Sequence, residues 1–470
     1  MTENFLMFGP RIFGRSGLAA AALGIHVMDR STFLLSFEDE KETAADLTAY
    51  LTSSTIFNVI SHIHHPLLLP STHETRTRME AVEGIVVVGA GIAGLATSLG
   101  LHRLGLRSLV LESSDTLRDT GFSFITFPNA WRALDALGVG DFLRQQHLQL
   151  QGGDYEVRCV RRNLLLEALA GELPPGTIRL NSKVVSIEEV ESSKILHLAD
   201  GSILKTKVLI GCDGVNSLVA KWLGFQKPAF SGRSAARGLA EFPGGHGLTP
   251  QYLQFFGNGF RSGFLPCNEK SVYWFFTYTP SPQLKGMEES PAKIKQIVLS
   301  ELQQAPEPLL KIIEQTNLDS VISSPLRFRF AWDVLWGDIC RNNVCVAGDA
   351  FHPMTPDIGQ GACSALEDSV TLARCIGEAF LGKPKKEIEE EEEDDDEYSR
   401  IKRGLEKYAK QRRWRAFDLI TTAYMLGSIQ QSDGVVMSFL RDKFLAGLMA
   451  AMLLKKTQFD CGDLLKNSNV

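Results

Sequence analysis

Residues 84–112, GIVVVGAGIAGLATSLGLHRLGLRSLVLE, constrain the fold more than any other stretch of this chain. Residues 85–88 form a continuous apolar run, as in a strand buried on both faces of a parallel sheet. Gly89, Gly91 and Gly94 follow at the spacing G-x-G-x-x-G, and residues 93–104 keep helical spacing until Gly105 ends them. A second short strand, 108–111, leads to Glu112, 18 residues after Gly94. Strand, glycine turn, helix and strand make a βαβ unit, and a glycine turn in that setting binds a dinucleotide. Gly89 permits the tight turn. Gly91 lets the backbone approach a pyrophosphate at the helix N-terminus, where free N–H groups and the dipole favour anions. Gly94 lets helix and strand pack closely. Glu112 is placed to accept hydrogen bonds from a ribose diol, and its charge would repel a 2′-phosphate, which argues against NADP in this half.

The 470 residues suffice for two or three domains. A net charge of −6 gives no sign of nucleic-acid binding. Ten acids crowd residues 387–397, and without them the chain carries +4, so the folded part is mildly basic. That run repels itself and is expected as a disordered acidic loop over 383–400. Eight cysteines form no CxxC pair, which speaks against structural zinc, and several sit in apolar runs as reduced buried thiols do. A reducing compartment is expected, cytoplasm or plastid, with the cytoplasm slightly favoured. No apolar run reaches transmembrane length. The nearest, 444–454, reads as a packed C-terminal helix, with weak interfacial membrane association as the alternative. Residues 1–78 lack sustained periodicity. They are expected to be a poorly structured extension or a gene-model artefact, with the functional protein starting near Met79.

Residues 163–170 read as a helix, and 184–190 with 195–198 as an antiparallel pair. KVLIGCDG is another buried strand running into a turn. From 228 to 333 the character changes to alternating, Phe-rich strands around Gly and Asn turns, with a helix over 291–314. LRFRFAW alternates Leu326, Phe328 and Phe330 against Arg327 and Arg329. A buried strand returns at NVCVAGD, then helices over 361–380 and 401–415. The other G-x-G, Gly257 and Gly259, sits in a hairpin context, so a single nucleotide-binding fold is expected. Two further turns present Gly beside Asp after an apolar strand: Asp213–Gly214 and Gly348–Asp349. Such turns cluster near the crevice of a parallel sheet. Each Asp either accepts hydrogen bonds from a bound hydroxyl chain or closes a turn on its own backbone.

In that order, Gly89/Gly91/Gly94 with Glu112, Asp213–Gly214 and Gly348–Asp349 resemble the three signatures of single-component FAD-dependent monooxygenases, the group of aromatic hydroxylases acting on salicylate and p-hydroxybenzoate. GDAFHPMTPDIGQGACSALEDSVTLA is most similar to its plant members, the monooxygenase-1-like proteins related to zeaxanthin epoxidase. The resemblance spans about 84–465; residues 1–78 and the acidic insertion depart from it. It implies an α/β fold: a Rossmann-like FAD-binding domain (79–227 and 334–382), an inserted antiparallel-sheet substrate domain (228–333) and C-terminal helices (401–470). Gly89, Gly91, Gly94 and Glu112 would hold the ADP half of FAD, and Arg162, opening the helix RNLLLEAL, would touch FAD. Asp213 and Gly214 match the motif tied to both FAD and NAD(P)H. Asp349, after Gly348, matches the acid that binds the ribityl hydroxyls. Pro356, Gly359 and Gly361 would wrap the isoalloxazine, with the helix from Gly361 aiming its positive end at the flavin.

The resemblance further implies that NADH or NADPH reduces FAD, that O2 adds to give a flavin C4a-hydroperoxide, and that oxygen passes to a small aromatic or other hydrophobic substrate. The hard chemistry then belongs to the cofactor, and no side chain is assigned as catalytic. Phe255, Phe256, Phe275 and Phe276 are candidate walls of a water-excluding pocket, though only alternate strand residues share a face. His352, beside Asp349, reads as support for the flavin loop in preference to a base. Epoxidation of an isoprenoid and a non-catalytic flavin- or lipid-binding scaffold are the rival readings.

Overall fold

The expected βαβ unit is present in the computed structural model. β1 (Met79–Val88) runs through the glycine turn into α1 (Ile92–Arg103) and on to β2 (Leu109–Leu111), parallel to β1. The structure describes residues 79–117, 121–151, 155–257, 259–280, 290–381, 396–431 and 455–464; the expected 1–78 extension and the 444–454 helix lie outside them. β3 (Ser123–Thr126), α2 (Pro128–Leu137), α3 (Gly140–Gln146) and β4 (Arg158–Arg161) follow, β3 and β4 forming an antiparallel ribbon. Next come α4 (Arg162–Gly171), β5 (Ile178–Arg179), the hairpin of β6 (Val184–Val190) and β7 (Ser193–Leu198), β8 (Ile203–Gly211) and α5 (Leu218–Trp222).

The chain then builds a second sheet from β9 (Ala229–Glu241), β10 (Leu253–Gly257), β11 (Phe260–Pro266) and β12 (Ser271–Tyr278). α6 (Pro291–Glu301) and α7 (Glu307–Gln315) precede its last strand, β13 (Val321–Phe328). The helix expected over 291–314 is thus two. Pro306 sits at the N-cap of α7, where its ring and missing N–H stop one helix from running through. After α8 (Ala331–Trp336), β14 (Cys340–Arg341) and β15 (Val344–Val346) return to the first sheet. α9 (Gly361–Leu381) and α10 (Glu397–Gln431) complete the described elements.

The first sheet runs β14-β15-β8-β1-β2-β5, with β7 also paired to β8. The connection from β1 steps one way, to β2, while β8 and β15 lie on the other side. Parallel β1, β8 and β15 therefore open their carboxyl ends into one crevice, at the point where strand order reverses. α1 is buried from Ile92 to Leu101 between this sheet and α9. The second sheet, β10-β11-β12-β9-β13, is antiparallel throughout. Its alternation splits the side chains. Phe255, Phe264, Trp274 and Phe276 share one core with Ile294, Val298, Leu309 and Ile312 of α6 and α7. The opposite face, with Arg261, Tyr273 and Phe275, lines a cavity.

Residues 383–395 of the expected acidic loop lie outside the described residues, and 397–400 belong to α10. Asp396 Oδ1 accepts from the Ser399 N–H at 2.7 Å, and Glu397, already in the first turn of α10, pairs with Lys207 at 3.0 Å. Acids at a helix start cap its N–H groups and oppose its dipole, so the end of the acidic run is helical.

Candidate functional site

The carboxyl ends of the first sheet and one face of the second enclose a cleft of about 350 Å³. Gly89 turns with φ +99°, and its N–H donates to the Leu111 carbonyl at 2.7 Å. A Cβ there would fall 2.5 Å from the Cys212 carbonyl oxygen, and one on Gly94 would fall 1.9 Å from that of Gly89. These two glycines satisfy close packing of the protein itself. Gly91 differs: its backbone is extended, it borders the cleft, and a Cβ on it meets nothing within 4 Å. It leaves room at the N-terminus of α1, whose first-turn N–H groups have no carbonyl within their own helix. Glu112 stands behind the turn and braces it, accepting from Ala90 N and Ser114 N, each at 2.9 Å.

Arg162, at the start of α4, reaches the cleft, as do Gly214 and Asp349. Asp213 does not. Its carboxylate accepts from the Ser217 hydroxyl and from Leu218 N at 2.7 Å, closing the start of α5. Burial holds Asp213 above the usual carboxylate range, and those hydrogen bonds offset this only in part. Of the two roles open to an Asp at a turn, Asp213 fills the local one, while Asp349 is exposed at the cleft. Gly348 (φ +61°) packs on Ala93, where a Cβ would come within 2.7 Å of that side chain. Pro356, Gly359 and Gly361 border the cleft, and Gly359 (φ +63°) lies so close to Ile125 that a Cβ would sit 2.6 Å from it. α9 begins there with its N-terminus at the cleft.

His352 is buried behind this loop. Its Nε2 lies 2.6 Å from Asp368 Oδ2 on α9, and Asp368 also accepts from Gly348 N at 2.9 Å and from Arg412 Nε at 2.6 Å. Arg412 reaches on to Glu367 at 2.7 Å, and Glu367 accepts from Arg415 at 2.8 Å and from Asn129. Burial opposes the charge on Asp368, but His352 and Arg412 together hold it below the usual carboxylate range. The start of α9 and the turn before it are thus pinned by a buried polar network. His352 is tied to α9 through Asp368, is fully buried, and is not among the residues that line the cleft. His352→Ala is expected to retain FAD and much of its turnover, at about 1–3 kcal/mol of stability for the partner left unmade. Flavin content, turnover and Tm check this; full FAD with no hydroxylation would make His352 catalytic.

Two more buried groups hold the loop, and neither stands out in the sequence. Asp357 binds Arg233 of β9 at 2.7 Å and lies 3.5 Å from Arg261 of β11. Burial raises its pKa, but the Arg261 and Arg233 charges win and hold it low. Arg329 donates to the carbonyls of Phe351 (2.9 Å), Ala350 (3.1 Å) and Gln226 (2.8 Å). Burial lowers its pKa to about 10. The alternation in LRFRFAW suggested an outward Arg329 and an inward Phe330. β13 ends at Phe328, so the period lapses: Arg329 is 2% exposed and Phe330 54%.

On the facing wall, Phe275 lines the cleft with Tyr252 and Tyr273. Gly263, paired with Phe275 across β11 and β12, makes room for the ring: a Cβ there would fall 3.0 Å from it. Of the other candidate wall residues, Phe255 and Phe276 belong to the core beneath α6 and α7, because the pleat turns them to the opposite face. The side chain of Phe256 lies outside the described residues.

The residues bordering the cleft fit an FAD: glycine backbone and a helix N-terminus for a diphosphate, an exposed carboxylate for hydroxyls, and a second helix N-terminus for the ring. A family model for an FAD binding domain matches residues 163–395, and one for lycopene cyclase protein matches 84–237. Monooxygenase 2 of Arabidopsis thaliana is 53% identical over 82% of this chain and 99% of its own. Monooxygenase 1 of the same plant is 36% identical over 81% and 99%. The chain belongs to the FAD-dependent monooxygenases. It is an oxidoreductase and FAD is its cofactor. In fold, this monooxygenase resembles Klebsiella pneumoniae HpxO complexed with FAD and uric acid, at TM-score 0.66 and 22% identity over 80% of this chain and 96% of that one. It also resembles a salicylate hydroxylase substrate complex, at TM-score 0.60 and 21% identity over 81% and 96%. Among its described residues no helix is long and apolar enough to cross a membrane.

Proposed function

We propose that this monooxygenase uses NADH or NADPH and O2 to hydroxylate a small aromatic compound bound between the 353–361 loop and the Tyr252–Tyr273–Phe275 wall. The observation that carries this reading is the division of one cleft. Gly91, Arg162, Gly214 and Asp349 border one part of it, which this reading assigns to the cofactor, and an aromatic sheet face with Tyr252, Tyr273 and Phe275 borders another. FAD, when bound, supplies electron storage and O2 activation. The chain's own residues bind, orient and keep water out. Gly91 and the first turn of α1 receive the diphosphate, Arg162 and Asp349 engage the cofactor's polar groups, and the N-terminus of α9 favours negative charge on the reduced ring. Glu112 braces the turn. Asp213 and Gly348 shape the second and third turns without facing the cleft. Phe275 and the two tyrosines offer an aromatic surface that excludes water.

Arg237 of β9 also lines the cleft, directly opposite Phe275 in the pairing of β9 with β12. Three guanidiniums (Arg162, Arg237, Arg261) border the cleft against the single carboxylate of Asp349. A ring bearing a hydrogen-bond acceptor or negative charge is therefore favoured over a plain hydrocarbon, which speaks against an isoprenoid.

The test is a panel of ring compounds presented to the purified yellow protein, with NAD(P)H consumption and peroxide release followed together. Consumption that rises without peroxide identifies a true substrate; a colourless protein, or no response to any ring compound, defeats the reading. For the best compound, Arg237→Gln is expected to raise KM roughly ten- to a hundredfold, as for a lost hydrogen bond to a charged group, with flavin content unchanged. An unaltered KM would remove Arg237 from substrate recognition.

A further inference from the structure

Cys159 and Cys267 are 108 residues apart in sequence, yet their sulfurs lie 3.3 Å apart. Cys159 is on β4, three residues before the cleft-lining Arg162, and Cys267 follows β11 of the second sheet. Both are fully buried. Cys267 Sγ is also 3.4 Å from the hydroxyl of Ser123, a residue that lines the cleft. One side chain therefore separates this thiol pair from the cleft.

The two thiols are not equivalent. Burial works to raise the pKa of Cys267, but its hydrogen-bond contacts with Cys159 and Ser123 and the charge of Arg161 outweigh it and leave this thiol below the usual value. Burial, with Cys267 as neighbour, pushes Cys159 well up. Cys212, Cys340, Cys345, Cys363, Cys375 and Cys461 are all pushed up by burial. Nucleophilic attack by sulfur requires the thiolate.

We propose that Cys159 and Cys267 form a peroxide-responsive dithiol that closes into a disulfide across the two walls of the cleft. The oxidant is hydrogen peroxide, which reduced flavin releases with O2 when no substrate accepts the oxygen. The Cys267 thiolate attacks one peroxide oxygen, the O–O bond breaks, and hydroxide leaves to become water, giving a sulfenic acid on Cys267. Cys159 sulfur then attacks Cys267 sulfur. The S–O bond breaks, the S–S bond forms, and the departing hydroxide takes the Cys159 proton as a second water. Two thiols lose two electrons and two protons, and one peroxide becomes two waters. Closing 3.3 Å to the roughly 2.05 Å of a disulfide ties β4 to the end of β11 and draws Cys267 from Ser123 at the cleft wall.

This inference needs FAD and O2 but not the substrate reading, so either can fail alone. The FAD-loaded protein is treated with hydrogen peroxide, denatured, alkylated, and mapped by mass under non-reducing conditions. The expected product is one peptide pair joining Cys159 to Cys267, two hydrogens lighter than the thiols and reopened by dithiothreitol, with the other six cysteines alkylated. Cys159→Ser should stop at the sulfenic acid, trapped on Cys267 by dimedone, and Cys267→Ser should give no adduct at either position. A bond between Cys340 and Cys345, which face each other across β14 and β15, would overturn the proposal. So would a Cys159–Cys267 pair that remains fully alkylatable in wild-type protein after peroxide, a result independent of how the variants fold.

Discussion

Gly91→Ala is expected to give a folded protein that no longer retains FAD. The two other glycines of the turn cannot make this distinction. A methyl on Gly94 would meet the Gly89 carbonyl oxygen at 1.9 Å, and one on Gly89 would meet that of Cys212 at 2.5 Å, so those changes damage the βαβ unit itself. At Gly91 the backbone, φ −78° and ψ −172°, is one that alanine adopts, and its methyl would meet no protein atom within 4 Å. The space it fills is that into which the first-turn N–H groups of α1 point. The flavin-free variant should match the flavin-free parent in Tm to within about 2 °C, as expected where no packing changes. Its FAD affinity should fall at least tenfold, about 1.4 kcal/mol or more. Flavin absorbance per protein and a titration of the stripped protein read both quantities. A Gly91→Ala protein that purifies fully yellow would move the diphosphate away from this turn.

Asp368→Ala is expected to cost about 3–5 kcal/mol, the range seen when one partner of a buried ion pair is removed. Asp368 is wholly buried, and its loss strands Arg412 and His352 together and frees the N–H of Gly348, the residue before Asp349. Denaturant unfolding measures the cost. The pH dependence has a definite sign. The folded-state pKa of Asp368 is depressed, so its contribution is fully present above its unfolded value near 3.9 and is lost as pH falls through the lower folded value. Wild type should therefore lose stability on that acid limb, while Asp368→Ala should be flatter there. A variant as stable as wild type would mean that the existing contacts of Arg412 with Glu367 and Ser364 suffice without Asp368.

The βαβ unit was legible in the sequence because its signals are local. An apolar run of four, glycines at fixed spacing and a helical period each dictate backbone conformation within a few residues, and β1, α1 and β2 form where they were expected. The antiparallel character of 228–333 was legible for the same reason, as was the hairpin at Gly257 and Gly259, since a period of two is a property of neighbours. Where local signals compete, the reading gave way: Pro306 divided one helix into two, and the alternation at Arg329 lapsed at the end of β13.

The sequence by itself determined the family, the cofactor and the three turns that meet at the crevice. Those depend on backbone conformations that only particular residues, glycine above all, can adopt. Only the tertiary structure decided what each polar side chain does. Asp213 and Asp349 occupy similar turns, yet one closes a helix and the other faces the cleft. Asp357 reaches Arg233 across 124 positions, Arg412 reaches Asp368 across 44, and Cys159 reaches Cys267 across 108. No short-range pattern encodes such pairs. They arise because buried charges must find partners and buried thiols settle wherever two walls meet, and both depend on how the sheets pack.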